Sequence, residues 1–257
     1  MARYLVTGGA GFIGSHLVRT LLDQGADVRV LDNFSTGKRE NLSGLGSRLE
    51  VQEGDVRERA AVETAVRDVE VVFHEAAFVS VPESMEKPQD CFDINVTATV
   101  GLFDAAREAG VKRVVIASSA AVYGESDALP LKETTPTQSL SPYAASKRTI
   151  EIYAQLYTQT LGLDVVALRY FNVYGPRQRP DSMYAAAVPI FVRRLLDGKP
   201  VTVFGDGGQT RDLINVRDVV RANLIASEHP NAPGQIFNVC TGQETRILDL
   251  LEVLYDL

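Results

Sequence analysis

Short apolar runs and stretches of helical period alternate along the first 175 residues of this 257-residue chain. The runs are residues 3–7, 27–31, 49–52, 69–74, 111–117 and 164–170. Residues 69–74 and 164–170 are apolar almost throughout, as strands buried on both faces are. From Phe12 to about Leu22, Leu17, Val18, Leu21 and Leu22 fall on one helical face. Residues 58–67, 82–109 and 142–160 also read as helical. Strands that alternate with helices predict an α/β fold, a doubly wound parallel sheet with strand order 3-2-1-4-5-6.

Pro176 and Pro180 mark the end of this first unit, residues 1–175. The remainder, residues 176–257, reads as a smaller α/β portion. It should hold a helix at 184–196, a short strand at 201–204, a turn at 205–208 and a helix from 216 to about 227. A strand at 235–239 and a helix from 247 should follow. That last pattern stops without a capping glycine or a further strand, so the C-terminal portion is expected to be incomplete.

The net charge is −7, and no long basic run or basic helix occurs. Nucleic acid and anionic membranes are therefore not the expected partners. No stretch has the length of a membrane span, and the first residues already read as a strand, so no signal peptide is expected. Cys91 and Cys240 lie far apart in apolar settings, as free buried thiols of a reducing cytoplasm would. His16, His74 and His229 show no ligand spacing, and no metal is expected.

Candidate chemistry sits where strands end. Gly8-Gly9-Ala10-Gly11-Phe12-Ile13-Gly14 joins the first strand to the first helix. Glycines there permit a tight turn and close approach of a pyrophosphate, which the amides at the helix N-terminus can hold. Asp32 ends the second strand, where a carboxylate bonds ribose hydroxyls and repels a 2′-phosphate. This favours NAD over NADP, with Lys38 and Arg39 nearby as the counter-argument. Ala76 and Ala77 follow the fourth strand, either for a nucleotide or for helix packing. Asn95 lies inside a helix, to touch the cofactor or to hold a neighbouring loop. Ser118 and Ser119 end the fifth strand, as site residues or as turn residues. In Ser141-Pro142-Tyr143-Ala144-Ala145-Ser146-Lys147, Ser141 suits an N-cap and Pro142 the first helical position. Tyr143 and Lys147 are then one turn apart on one face. A fixed cation favours phenolate, so Tyr143 can serve as a general acid/base tuned by Lys147. An ordinary amphipathic helix would give the same spacing.

Thr7-Gly8-Gly9-x-Gly11-x-x-Gly14, Ser119 and Tyr143-x-x-x-Lys147, in this order, resemble the short-chain dehydrogenase/reductase family and its Rossmann-type fold. L-R-Y-F-N-V-Y-G-P-R from Leu168, F-G-D-G-x-x-x-R-D from Phe204 and F-N-V at 237–239 resemble its extended branch, the nucleotide-sugar epimerases and dehydratases. The likeness covers essentially the whole chain and is greatest to the UDP-hexose 4-epimerases.

The resemblance implies Tyr143 as acid/base, Lys147 as its tuner and nicotinamide-ribose ligand, and Ser119 as the group that orients the substrate oxygen. It places NAD against Gly8, Gly11, Phe12, Ile13, Gly14, Asp32, Asn33, Ser35, Thr36, Gly37, Asp55, Val56, Ala76, Ala77, Asn95, Ser118, Tyr143, Lys147, Tyr170 and Val173. It places the UDP-sugar against Ser119, Tyr143, Asn172, Ala187, Val188, Val203, Phe204 and Arg211. Arg211 could instead form a surface salt bridge, and the apolar residues could be plain core. Leu213 stands where the family has an aromatic residue. Family dehydratases and decarboxylases resemble S-T-D-E-V-Y-G or S-T-S-E-V-Y-G after the fifth strand, whereas this chain has Ala120-Ala121. The expected activity is therefore NAD-dependent C4 epimerisation through a 4-keto sugar. A UDP-N-acetylglucosamine epimerase, another enzyme of the branch, a net oxidoreductase and a non-catalytic NAD-binding regulator are the alternatives. The family pairs two subunits through a four-helix bundle, and Leu102, Phe103, Ile152, Leu156 and Tyr157 are the apolar positions expected to form it here.

Overall fold

The computed structural model describes residues 3–126, 128–179 and 187–256. The first half follows the predicted alternation. Strand β1 (Arg3–Thr7) leads into helix α1 (Phe12–Asp23), then β2 (Asp27–Asp32), β3 (Leu49–Glu53), α2 (Arg59–Ala65) and β4 (Val71–His74). Helices α3 (Val81–Glu86), α4 (Pro88–Phe92) and α5 (Ala98–Glu108) form one long segment, with a single π-helical stretch at Asp93–Thr97. Strand β5 (Arg113–Ser119), helix α6 (Pro142–Leu156) and strand β6 (Asp164–Tyr170) complete it.

These six strands are parallel in the predicted order, and a seventh joins them. After β7 (Asn172–Tyr174), α7 (Ala187–Leu196), β8 (Thr210–Arg211), β9 (Leu213–Asn215) and α8 (Val216–Glu228), the chain returns to the sheet as β10 (Ile236–Val239). β10 lies parallel to β6, with Ile236 opposite Ala167 and Val239 opposite Tyr170. The sequence reading placed this strand in the second half. Its mixed burial is that of an edge strand, which carries no both-face apolar signal. β6 is buried along nearly its whole length, and β10 supplies the partner its outer edge needs. Strand β11 (Thr245–Arg246) and helix α9 (Ile247–Tyr255) end the described chain.

The period of two along the strands divides the core. Leu5, Val114 and Ile116 face α2, α5 and α6, while Val6, Val30, Val115 and Val166 face α1 and α8. A small third cluster of Phe191, Ile247 and Leu251 holds the second half, with Val201 and Val203 packed on it. Two short ladders join it, β7 with β9 and β8 with β11. Residues 201–204 form no strand, contrary to the sequence reading; their apolar side chains serve this cluster instead of a sheet face. Pro180 and the start of the helix expected at 184 lie outside the described residues.

Two further expectations change. Leu102, Phe103 and Tyr157 are buried in the subunit's own core, the two rings 5.0 Å apart, because they occupy the inward stripes of α5 and the segment after α6. Only Ile152 and Leu156 of that set are exposed. Both cysteines are free, but Cys240 is only half-buried, since the chain turns outward just after β10. Among the described residues no helix is long and apolar enough to cross a membrane, and no group of metal-ligating side chains forms.

Candidate active site and cofactor cleft

The turn after β1 lies against the segment after β4. Gly8 has φ +67°, and a Cβ there would sit 2.7 Å from the Ala76 amide nitrogen. A Cβ on Gly14 would collide with the Gly8 carbonyl, so the first turn of α1 rests directly on the loop. Gly11 is the N-cap and offers no side chain, leaving amides of the first turn without a side-chain partner. Phe12, Ile13 and Gly14 line the neighbouring cavity, which suits a phosphate group.

Asp32 is nearly buried. Its Oδ2 accepts from the Ala10 amide at 2.9 Å and its Oδ1 from the Phe34 amide at 2.8 Å. Each oxygen keeps a second lone-pair direction for a ribose hydroxyl. Asn33, Ser35, Thr36, Asp55, Val56, Ala76 and Ala77 line the same cavity of about 120 Å³. Asn33 donates to Asp55, and the Arg57 guanidinium holds the Asp55 carboxyl well below the usual carboxylate range. Arg39 bonds Glu53 at 2.5 Å and lies 3.9 Å over the Phe34 ring. Gly37 packs on Ala10 and Asp32 and does not line the cavity.

Helix α6 starts as expected. The Ser141 hydroxyl accepts from the Ala144 amide at 3.1 Å, with Pro142 at the first position. The Tyr143 amide donates to Ser84 Oγ at 3.2 Å, and Ser84 donates to the Val81 carbonyl. Tyr143, Lys147, Ser118, Ser119, Tyr170 and Val173 line one cavity of about 600 Å³. Lys147 is buried, donates to the Ala117 carbonyl at 2.8 Å and lies 5.8 Å from the Tyr143 ring centre.

The electrostatics depart from the expectation that Lys147 lowers the phenol. Burial raises the Tyr143 pKa, and only the Ser119 hydrogen bond pulls it down. Burial also depresses Lys147, to about 8, against the opposing field of Glu75 and Glu151. Both groups are desolvated together, so each resists its charged form.

Two predicted cofactor residues turn away. The Ser118 hydroxyl donates to Glu151 at 2.6 Å, and Glu151 pairs with Arg169 at 2.7 Å in the interior. Ser118 reaches the cavity only as part of its wall. Asn95 is buried: its amide oxygen accepts from the Phe78 amide, and its nitrogen donates to the Phe78 carbonyl and Ser146. It holds the loop after β4 and is not on either cavity wall. The sequence reading missed Glu75, which lines both cavities and accepts from the Tyr170 hydroxyl at 2.7 Å. Its one signal was a charge at the end of an otherwise apolar strand.

A third cavity, about 580 Å³, contains Asn172, Ala187, Val188, Val203, Phe204, Arg211 and Leu213 in its wall. Val173 borders both this cavity and that of Tyr143. Val203 serves as wall and as core at once. Arg211 has no carboxylate partner among the described residues and donates only to the Thr210 carbonyl.

The model of the NAD dependent epimerase/dehydratase family matches residues 4–240. The putative UDP-glucose 4-epimerase of Methanocaldococcus jannaschii is 42% identical over 252 residues, which are 97% of this chain and 80% of that protein. The structure of UDP-N-acetylglucosamine 4-epimerase from Methanobrevibacter ruminantium M1, in complex with UDP-N-acetylmuramic acid, aligns with a TM-score of 0.95 at 41% identity. It covers 99% of this chain and 81% of that one. The UDP-glucose 4-epimerase of Thermus thermophilus, in complex with NAD, aligns with a TM-score of 0.90 at 41% identity, over 99% of this chain and 82% of that one.

Proposed function

The chain belongs to the NAD dependent epimerase/dehydratase family, and we propose that within it the chain epimerises C4 of a UDP-hexose, UDP-glucose to UDP-galactose, through a 4-keto sugar. One observation carries the choice. The turn after Ser119 is Ala120–Tyr123, so Tyr143 and Ser119 share a cavity to which that turn adds no carboxylate. Loss of water from a sugar needs an acid and a base beyond the C4 pair. Exchange of a proton at the 4-hydroxyl needs only Tyr143 and Ser119.

The cleft fits NAD. Asp32 is fixed with lone pairs to spare and would repel a 2′-phosphate, while Arg39 is engaged by Glu53 and Phe34. The chemistry the cofactor supplies there is reversible acceptance of hydride from the sugar carbon. Tyr143 as phenolate takes the 4-hydroxyl proton, and Ser119 holds that oxygen. Lys147, one turn away and 5.8 Å from the ring centre, is the cation that must offset the burial which raises the phenol. After the keto sugar turns over, Tyr143 returns the proton. Asn172 and Arg211 grip the diphosphate in the neighbouring cavity, with Ala187, Val188, Val203 and Phe204 against the uridine. The grip is remote from C4 and leaves the sugar free to turn.

UDP-N-acetylglucosamine is the second candidate substrate, favoured by the name of the Methanobrevibacter relative. We place the enzyme in the cytoplasm, as a homodimer in which α5 and α6 meet their counterparts through Ile152 and Leu156. Incubation with UDP-glucose, UDP-N-acetylglucosamine and UDP-glucuronate separately, with products resolved, tests the substrate. Deuterium at C4 should stay on the sugar. No conversion of a 4-hydroxyl substrate, or loss of the label to water, would overturn the reading.

A further inference from the structure

Glu75 stands where the two halves of the cofactor cleft meet. Gly8, Thr36, Glu75, Ala77 and Val79 line both the cavity of Asp32 and the cavity of Tyr143. A dinucleotide that occupies both ends must pass these residues. Its diphosphate must lie near the N-terminus of α1, whose Phe12, Ile13 and Gly14 line the second cavity. A bare carboxylate beside a diphosphate would repel it.

The hydrogen bonds around Glu75 run one way. Asn223, buried in α8, donates through Nδ2 to the Tyr170 hydroxyl at 2.7 Å. That hydroxyl therefore has its proton free for Glu75 Oε1, also at 2.7 Å. Oε1 is fixed as an acceptor. Oε2 has no partner among the described residues, yet it is not among the orphaned buried atoms, so it opens on the cleft.

We propose that Glu75 is a cofactor ligand in its neutral form, with Oε1 accepting from Tyr170 and the Oε2 hydroxyl donating to the dinucleotide at the junction of its two halves. NAD binding then takes up a proton. The inference rests on the reading of this cleft as the NAD site. The surroundings agree with it. Burial raises the Glu75 pKa to about 7, against the Tyr170 hydrogen bond and the Lys147 field. Among the described residues Lys147, from α6, is the cation whose field reaches it. Arg179, on the wall of the same cavity, donates to the Thr36 carbonyl. Tyr170 and Tyr143 are neutral near pH 7, with phenol pKa values raised by burial. His74, its neighbour in β4, is bonded between Thr7 and Thr99 and held neutral down to about 3. The glycine loop brings no charge, and α8 brings only Asn223.

The sign follows from linkage. The complex prefers the protonated acid, so affinity is full below pH 7 and falls as the free protein ionises above it. Equilibrium dialysis of the purified protein against NAD from pH 6 to 8.5 measures this directly. The expected result is a Kd that rises by up to about tenfold per pH unit above 7. Glu75→Gln keeps a donor at the same place, so its Kd should stay within a few-fold of the wild-type value at pH 6 and rise less steeply than the wild-type Kd from pH 7 to 8, where Lys147, depressed to about 8, discharges in both proteins. Calorimetry of wild type in buffers of different ionisation enthalpy should report proton uptake at pH 7.5, with no variant needed. A flat wild-type Kd, proton release, or tenfold weaker binding by Glu75→Gln at pH 6 would overturn the proposal while leaving NAD binding intact. No NAD bound at any pH would overturn the cofactor reading as well.

Discussion

Asp32, in the cleft we propose for the cofactor, and Arg211, in the pocket we propose for the nucleotide sugar, are both charged groups on a cavity wall, yet they are held differently. Asp32 is 7% exposed and is fixed by two backbone amides. Arg211 is exposed and, among the described residues, donates only to the carbonyl of Thr210. The same contrast runs through the neighbours. Lys147, Glu75, Tyr170 and Ser119 each have a protein partner that fixes the side chain. Phe204 is 82% exposed. One site is built before its ligand arrives. The other is left open by the protein, so a ligand that ordered it would have to supply the ordering cost. For an epimerase that division is useful, because the cofactor stays while the sugar must turn and leave.

The sharpest way to break the comparison is at Tyr143. Tyr143→Phe keeps the ring and removes the ionisable oxygen. Epimerisation should fall by at least ~10²-fold, the lower end for losing a general acid/base. NAD retained after gel filtration should not change, because Asp32 and the glycine loop are untouched. Lys147→Met should affect both ends. It should lose bound NAD and remove the cation that lies 5.8 Å from the ring centre, so activity is expected to rise with pH later than in wild type. A variant of Tyr143 that sheds its NAD would show that the cofactor half is not prebuilt.

The second test addresses the open pocket. Arg211→Ala and Phe204→Ala should each raise KM for the UDP-sugar about tenfold, roughly what one lost charge-assisted hydrogen bond or ring contact is worth. Neither should alter NAD content. If either lowers kcat alone, the pocket is shaped before binding, and the contrast with the cofactor cleft fails.

What the sequence disclosed follows the same division. The glycine loop, Asp32, Ser119, Tyr143 and Lys147 stand at strand ends or at a capped helix start, where local rules place them. The six predicted strands form in the predicted order, and those at 69–74 and 164–170 carry near-continuous apolar runs. β10 was assigned to the wrong neighbourhood, because pairing across more than sixty residues leaves no local mark on an edge strand. Asn95 and Ser118 were read towards the cofactor, but their side chains turn to Phe78 and Glu151. A polar residue near a site looks the same in sequence whether it faces the ligand or the wall behind it. Glu75 was missed for the complementary reason: one charge after an apolar run reads as the end of a strand.

The smallest expected effect concerns stability, and it asks whether the prebuilt half holds its buried polar groups in uncharged form. His74 and Glu75 are adjacent in sequence and oppose each other. Burial holds His74 down to about 3 in the fold, against 6.5 when unperturbed. The unfolded chain therefore binds that proton first as pH falls, and His74 costs stability below 6.5. Burial raises Glu75 to about 7 from 4.5, so the fold keeps a proton that the unfolded chain has lost. Glu75 therefore costs stability as pH rises from 4.5 to 7. Between about 4.5 and 6.5 the two slopes have opposite sign, each up to about 1.4 kcal/mol per pH unit. Wild type should show a nearly constant urea midpoint across that window. His74→Gln should be more stable at pH 5 than at pH 6.5, because only the Glu75 slope remains. Glu75→Gln should show the reverse. Asp55, whose carboxyl is held low by Arg57, loses its contribution only at lower pH and does not disturb the comparison. Two variants with parallel, flat profiles would mean that neither group is held uncharged, and that the cofactor half relaxes around its charges as freely as the open pocket does.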